Sequence, residues 1–187
     1  MNGEKKDRRV KYTQKVIKES FIKLLKEKSV SKITVSEICE IADINRGTFY
    51  LHYYDAYSLL ESLEKELYVQ IENTLKNFST DNLENLLETI MLVIFNNKDI
   101  CEALLSEHGD EQFFKKVLNL AKNRSSEAWK AQNPKITENT IDYFFSFTSS
   151  GCIGIIQEWI KKGFSEPPKE IASFITNIKK RKEWLML

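Results

Sequence analysis

Apolar residues return every three or four positions along almost the whole of this chain, the spacing that lines one face of an α-helix. Val16, Ile17, Phe21, Leu24 and Leu25 form the first such stripe and predict a helix over about residues 13–28. Two shorter segments follow, each with its own start signal. Thr34-Val35-Ser36-Glu37 is a capping box, in which the Thr34 hydroxyl accepts from the Glu37 N–H and the Glu37 carboxylate accepts from the Thr34 N–H. Ile33 and Ile38 flank that cap at the spacing of a hydrophobic staple. Eleven residues later Asn45 is a preferred N-cap, Arg46 to Thr48 make a first turn, and Ile44 with Phe49 repeats the staple. Only Ala42-Asp43-Ile44 lies between the two helices, which leaves room for a tight turn. Ile38, Cys39, Ile41, Phe49 and Tyr53 then join the first stripe to close a small three-helix core. Such a core buries a limited fraction of its surface and needs a neighbour. Asp55 is placed to cap a long helix carrying Leu59, Leu60, Leu63, Leu67 and Ile71.

Beyond residue 77 the pattern is one of successive helices with short polar breaks. Ser79-Thr80-Asp81-Asn82 introduces Leu83, Leu86, Leu87, Ile90, Met91, Ile94 and Phe95, and Asn96-Asn97-Lys98-Asp99 ends that helix and starts a short one through Leu105. His108-Gly109-Asp110 is a further break. A helix with Phe113, Phe114, Val117, Leu118 and Trp129 runs from there to Asn133-Pro134, another spans about 137–162, and a last one spans about 168–184 after Pro167-Pro168. No stretch alternates with a period of two, and no internal repeat is present. The fold class is therefore all-α, with an N-terminal three-helix helix-turn-helix domain over residues 1–54 and a helical domain over residues 55–187.

Two short helices joined by a three-residue turn form a helix-turn-helix, whose second member lies in the major groove of DNA. Arg46, Thr48, Tyr50 and His52 alternate with Phe49 and Tyr53, whose i, i+4 spacing suits burial against the preceding helix. Gly47 in the first turn costs about 1 kcal/mol of helix propensity relative to Ala. A phosphate approaching the backbone would justify that cost. The same spacing also fits an ordinary helical hairpin whose aromatics are simply core.

The segment Ile33-Thr34-Val35-Ser36-Glu37-Ile38, then Ala42-Asp43-Ile44-Asn45-Arg46-Gly47-Thr48-Phe49-Tyr50-Leu51-His52-Tyr53-Tyr54-Asp55, then Leu59-Leu60, resembles the DNA-binding domain of TetR-like (TetR/AcrR family) transcriptional regulators. The resemblance covers about residues 12–67. It implies an all-helical homodimer with an N-terminal DNA-binding part and a C-terminal part that dimerises and often holds a small effector. By matching positions it implies DNA contacts at Thr34, Arg46, Gly47, Thr48, Tyr50, His52 and Tyr53. One departure stands out. Where the family commonly has a phosphate-gripping Lys at the start of the fourth helix this chain has Ala56, and a neighbouring, often basic, position is Tyr54.

Charge adds a direction to this picture. The chain is nearly balanced at +1, yet residues 1–60 hold twelve Lys and Arg against eight Asp and Glu, a balance of +4, and the remainder a balance of −3. Lys5, Lys6, Arg8, Arg9, Lys11 and Lys15 form a basic leader beside the reading head, suited to sequence-independent attraction to phosphates or, equally, to a solvated tail. Cys39, Cys101 and Cys152 are odd in number, far apart and set in apolar helical patterns, which points to reduced, buried thiols rather than a disulfide framework. No basic neighbour stands in the same turn as Cys152 to favour a redox-sensing thiolate. No run is apolar enough for a membrane span and the start lacks the apolar segment of a secretory signal, so a cytoplasmic protein is expected.

In the second domain the helix near 137–162 combines Tyr143, Phe144, Phe145 and Phe147 with the small run Ser149, Ser150, Gly151, Cys152 and Gly154. Glycines there suggest that another backbone packs closely. With the helix near 168–184 this suggests a four-helix dimer seam, or else an intramolecular core. Phe95, Phe114, Tyr143, Phe144, Phe147 and Trp159 are candidates to line a pocket for a small apolar or neutral effector, or to be core. His52 and His108 are the only histidines, no metal-ligand spacing surrounds either, and no phosphate loop or nucleophile elbow is present. No cofactor, metal or catalytic activity is expected. The function expected is a dimeric, sequence-specific DNA-binding regulator of a palindromic operator, a repressor released by its effector. The alternative is a TetR-like coactivator whose body binds a partner protein.

Overall fold

The computed structural model describes residues 2–76, 83–105 and 111–180, and among these the chain forms nine α-helices and one 3-10 turn. The helices are α1 (Asn2–Glu27), α2 (Val35–Ala42), α3 (Arg46–Tyr50), α4 (Ala56–Lys76), α5 (Leu83–Asn96), α6 (Lys98–Leu105), α7 (Glu111–Gln132), α8 (Glu138–Lys161) and α9 (Pro168–Lys180), with the 3-10 turn at Val30–Lys32. The start signal Ser79-Thr80-Asp81-Asn82, the break His108-Gly109-Asp110, the end of the last helix over 181–184, and the side chains of Lys5 and Lys6 lie outside the described residues. Helix α1 begins at Asn2, so the basic leader continues the first helix instead of preceding it.

The helices group into two compact units, residues 1–67 with 99–110 and residues 68–98 with 111–187. In the first unit Ile17, Phe21, Leu24 and Leu25 of α1 are buried, as are Ile33, Ile38 and Cys39 around α2 and Leu59, Leu60, Leu63 and Leu67 of α4. Ile41 departs from the expected core, being 44% exposed. It stands in the last turn of α2, roughly 60° around the helix from Ile38, where the stripe covered by α1 has run out. Ion pairs join elements far apart in sequence: Lys18 Nζ meets both Glu66 oxygens of α4 at 2.6 and 2.7 Å, and Lys26 Nζ meets Asp99 and Glu102 of α6 at 3.0 and 2.7 Å. Partial burial works against the Lys26 charge, but the two carboxylates outweigh it and raise the ammonium pKa.

In the second unit α5 packs on α9, with Leu87, Met91 and Ile94 buried on one helix and Ile171, Ala172 and Ile175 on the other. α7 packs on α8, pinned by Lys122–Asp142 at 2.8 Å, Lys130–Glu138 at 2.6 Å and an edge contact of the Trp129 and Phe144 rings. Thr137 caps the start of α8, its hydroxyl accepting from the Thr140 N–H at 3.2 Å. α8 ends where Gly163 and Phe164 take positive φ, 69° and 58°, and Phe164 folds back so that its ring meets those of Trp159 and Phe95. The Trp159 Nε1–H donates to the Glu166 carbonyl at 2.9 Å. A Cβ added at Gly151 or Gly154 would meet nothing within 4 Å, so the close approach expected there is not made by this chain's described residues.

Candidate nucleic-acid interface

The head is assembled by short-range caps. Thr34 Oγ1 accepts from the Glu37 N–H at 3.3 Å and Glu37 Oε2 accepts from the Thr34 N–H at 2.9 Å, completing the capping box. Lys28 Nζ donates to the other Glu37 oxygen at 2.5 Å, tying the exit of α1 to the start of α2. Lys28, then the Thr34 N–H and the Thr34 hydroxyl, hold the Glu37 carboxyl at a pKa of about 2, well below its ordinary 4.5. Asp43 ends α2 in the left-handed region, φ 50° and ψ 50°, and the Ile44 N–H donates back to the Cys39 carbonyl at 3.0 Å. The turn expected at Ala42-Asp43-Ile44 therefore closes through a residue type that tolerates this conformation.

α3 is a single capped turn and a half. Asn45 Oδ1 accepts from the Thr48 N–H at 2.8 Å and from the Thr48 hydroxyl at 3.1 Å. Phe49 is fully buried behind it, and its ring lies 5.9 Å from that of Tyr53. The next helix is capped in turn: Asp55 Oδ1 accepts from the Ser58 N–H at 2.7 Å, while Ser58 Oγ accepts from the N–H groups of Tyr54 and Asp55. Caps on both sides and a buried ring behind leave the short helix little freedom.

Of the predicted contacts, Arg46, Gly47 and Tyr50 are exposed on the outer side of α3, and Thr48 and His52 are half-buried at its flanks. Thr34 is exposed at the start of α2, with its hydroxyl held by Glu37. Tyr53 is placed differently. It is only 9% exposed; its burial, then the Glu66 carboxylate, push its phenol pKa up, and Ser62 hydrogen-bonds it. Its ring supports the face instead of forming part of it, because it falls on the same side of the chain as Phe49. A Cβ at Gly47 would meet only Asn45 Oδ1, at 3.2 Å, so the space in front of that residue is open. Leu51, which the spacing argument passed over, is 82% exposed, and Tyr54 is 84% exposed. The signal for Leu51 was its place four residues after Gly47 and two after the inward Phe49. Ala56, by contrast, is buried at 5% exposure, so the start of α4 presents no side chain outward there.

Between residues 33 and 60 the only Lys or Arg is Arg46, against Glu37, Glu40, Asp43 and Asp55. Positive charge lies outside α2 and α3, on α1 and the 3-10 turn. Arg8, Arg9, Lys23 and Lys32 are exposed there, whereas Lys11 pairs with Asp7, Lys18 with Glu66, Lys26 with α6 and Lys28 with Glu37.

The six residues named for an effector pocket fall in different places. Phe95 and Trp159 stack with centroids 6.2 Å apart, and Trp159 is 1% exposed and already satisfied by Glu166. Phe114 pairs with the buried Phe113 at the start of α7. Tyr143, Phe144 and Phe147 are 78%, 49% and 66% exposed along one side of α8. Cys39 and Cys101 are buried, with the Cys101 thiol pushed up to about 12 by burial, and Cys152 is half-buried. Among the described residues no three His, Cys, Asp or Glu side chains gather as a metal site, and no helix is long and apolar enough to cross a membrane.

Two capped helices across a tight turn, the second propped from behind and open in front, make this a helix-turn-helix protein whose head is followed by a helical body. The sequence family described as the TetR transcriptional regulator C-terminal region matches residues 81–181, and the chain belongs to this family of transcriptional regulators. A curated relative, the uncharacterised HTH-type transcriptional regulator YxbF of Bacillus subtilis (strain 168), is 21% identical over 178 residues; the match covers 90% of this chain and 46% of the relative, so the chain spans less than half of that protein. Among solved structures, a TetR transcriptional regulator from Streptococcus agalactiae 2603V superposes with a TM-score of 0.63 at 24% identity, covering 94% of this chain and 98% of the other. The dihydroxyacetone kinase operon activator DhaS superposes with a TM-score of 0.57 at 21% identity, covering 89% and 93%. At these identities the structural likeness establishes the fold.

Proposed function

We propose that this regulator acts as a homodimer that binds a palindromic duplex operator through α3 of each copy and represses transcription until a small neutral or apolar effector releases it. The observation that carries the reading is the two-sided character of α3: Phe49 fully buried behind, Arg46, Gly47 and Tyr50 open in front. Side chains can read a groove edge only when they are held in place from the other side. Arg46 supplies the guanidinium suited to paired acceptors on guanine, and Thr48, Tyr50 and His52 supply hydrogen-bonding groups for phosphates and base edges. Arg8, Arg9 and Lys32 add phosphate attraction from outside the reading helix.

Dimerisation rests on α8. Tyr143, Phe144 and Phe147 are exposed beside Gly151 and Gly154, whose open surroundings admit a second backbone, and Phe174 of α9 is 56% exposed. In this reading the α8 aromatics line the seam between copies. An effector held in each body acts by population shift, weakening operator binding by its differential affinity for the arrangement with the heads misplaced. Selection of duplexes from a random pool by the purified chain, followed by gel shift, is expected to return a two-fold-symmetric sequence with half-sites about one helical turn apart. Tyr50→Ala and His52→Ala are each expected to lose selectivity with the dimer intact. A chain that retains no sequence selectively, even at low salt, overturns the reading.

A further inference from the structure

We infer that Leu51 is a specificity-determining residue of this regulator, reading the 5-methyl group of a thymine in the major groove; the inference rests on the operator-binding role proposed above. Phe49 defines the inward direction of α3, being fully buried. At about 100° per residue, Leu51 lies roughly 200° around from it, and Gly47 lies on the same outward line. The Leu51 N–H donates to the Gly47 carbonyl at 3.3 Å, so the two residues sit one turn apart on that line. Gly47 has no side chain and open space before it, which makes Leu51, 82% exposed, the side chain that occupies this outward line. Tyr50 and Tyr54, 56% and 84% exposed, flank it.

A single exposed leucine needs no explanation on its own. Leu51, at the end of α3, stands between two further large exposed side chains, Tyr50 on the helix and Tyr54 in the segment that follows it, and such a run of large exposed side chains marks a contact surface. Arg46, at the start of α3, is the one cation between residues 33 and 60. On the outward line itself neither Gly47 nor Leu51 carries a hydrogen-bonding or charged side-chain group. Of the groups that bases present in the major groove, the thymine methyl is the apolar one, and an aliphatic side chain is its natural partner.

The test starts from the duplex selected by the full-length wild-type chain and replaces its thymines one at a time with deoxyuridine, which removes only the methyl. Wild-type protein is expected to lose about threefold to fivefold in affinity at one symmetry-related thymine per half-site, and Leu51→Ala to bind the thymine and deoxyuridine duplexes equally. Leu51→Ile, which keeps an aliphatic side chain, is expected to retain the discrimination. Size-exclusion chromatography and circular dichroism confirm that the variants fold as the wild type. Wild-type indifference to every replacement overturns the thymine contact while leaving operator binding standing. Undiminished discrimination in Leu51→Ala overturns the assignment to this residue. Failure of the selection to enrich any sequence overturns the operator reading itself, and this inference with it.

Discussion

Gly47→Ala adds one methyl group to the outer side of α3 and nothing to its buried side. Two opposing effects on stability follow from the geometry. Ala is favoured over Gly in a helix by about 1 kcal/mol at most, but the new Cβ stands 3.2 Å from Asn45 Oδ1, the oxygen that caps Thr48. That oxygen must give by a few tenths of an ångström, and complete loss of such a cap costs about 1 kcal/mol. The two nearly cancel. Thermal unfolding of the variant is expected to shift by no more than about 4 °C in either direction. Operator binding should respond quite differently, because a methyl in front of α3 holds the helix off the duplex. Losing even one good base contact costs about 1–3 kcal/mol, so the dissociation constant measured by fluorescence anisotropy should rise at least about fivefold. A variant that unfolds, or one that binds the selected operator within about twofold of wild type, refutes the claim that this surface is open for close approach.

Three further expectations follow. Phe49→Ala empties a fully buried ring site and is expected to cost about 3–5 kcal/mol in urea unfolding; a loss below 1 kcal/mol would mean that α3 is not held from behind. Glu37 has a depressed carboxyl pKa, so the stability it contributes is present above its ordinary value of 4.5 and is lost as pH falls toward about 2. Wild type should lose helix-turn-helix protection from hydrogen exchange faster than Glu37→Gln across that window, and identical pH profiles would contradict the Lys28–Glu37–Thr34 network. The double change Tyr143→Glu with Phe147→Glu places charge on the exposed side of α8 and is expected to yield a monomer in analytical ultracentrifugation; a persisting dimer would place the seam elsewhere.

Much of the local architecture could be read before any coordinates. Thr34 with Glu37, Asn45 with Thr48, and Asp55 with Ser58 are interactions across three residues, so residue type and spacing suffice to specify them. The same holds for the i, i+4 stripes of α1, α4 and α5, since a helix brings those positions together whatever else surrounds it. Exposure is another matter. Ile41 and Tyr53 both belong to apolar patterns, yet one is left in solvent and the other is enclosed, because each outcome depends on where α1, α2 and α4 cross. Leu51 carried no polar group to draw notice, and only its position opposite a buried Phe49 brings it forward. Gly151 and Gly154 predicted a close neighbour, and it took the packed helices to establish that the chain's described residues do not supply one. Lys26 reaches Asp99 and Glu102, partners more than seventy residues away, through contacts that no sequence period encodes. Caps and stripes are local and written in residue order; which face ends up covered is set by the mutual arrangement of helices whose residues lie far apart along the chain.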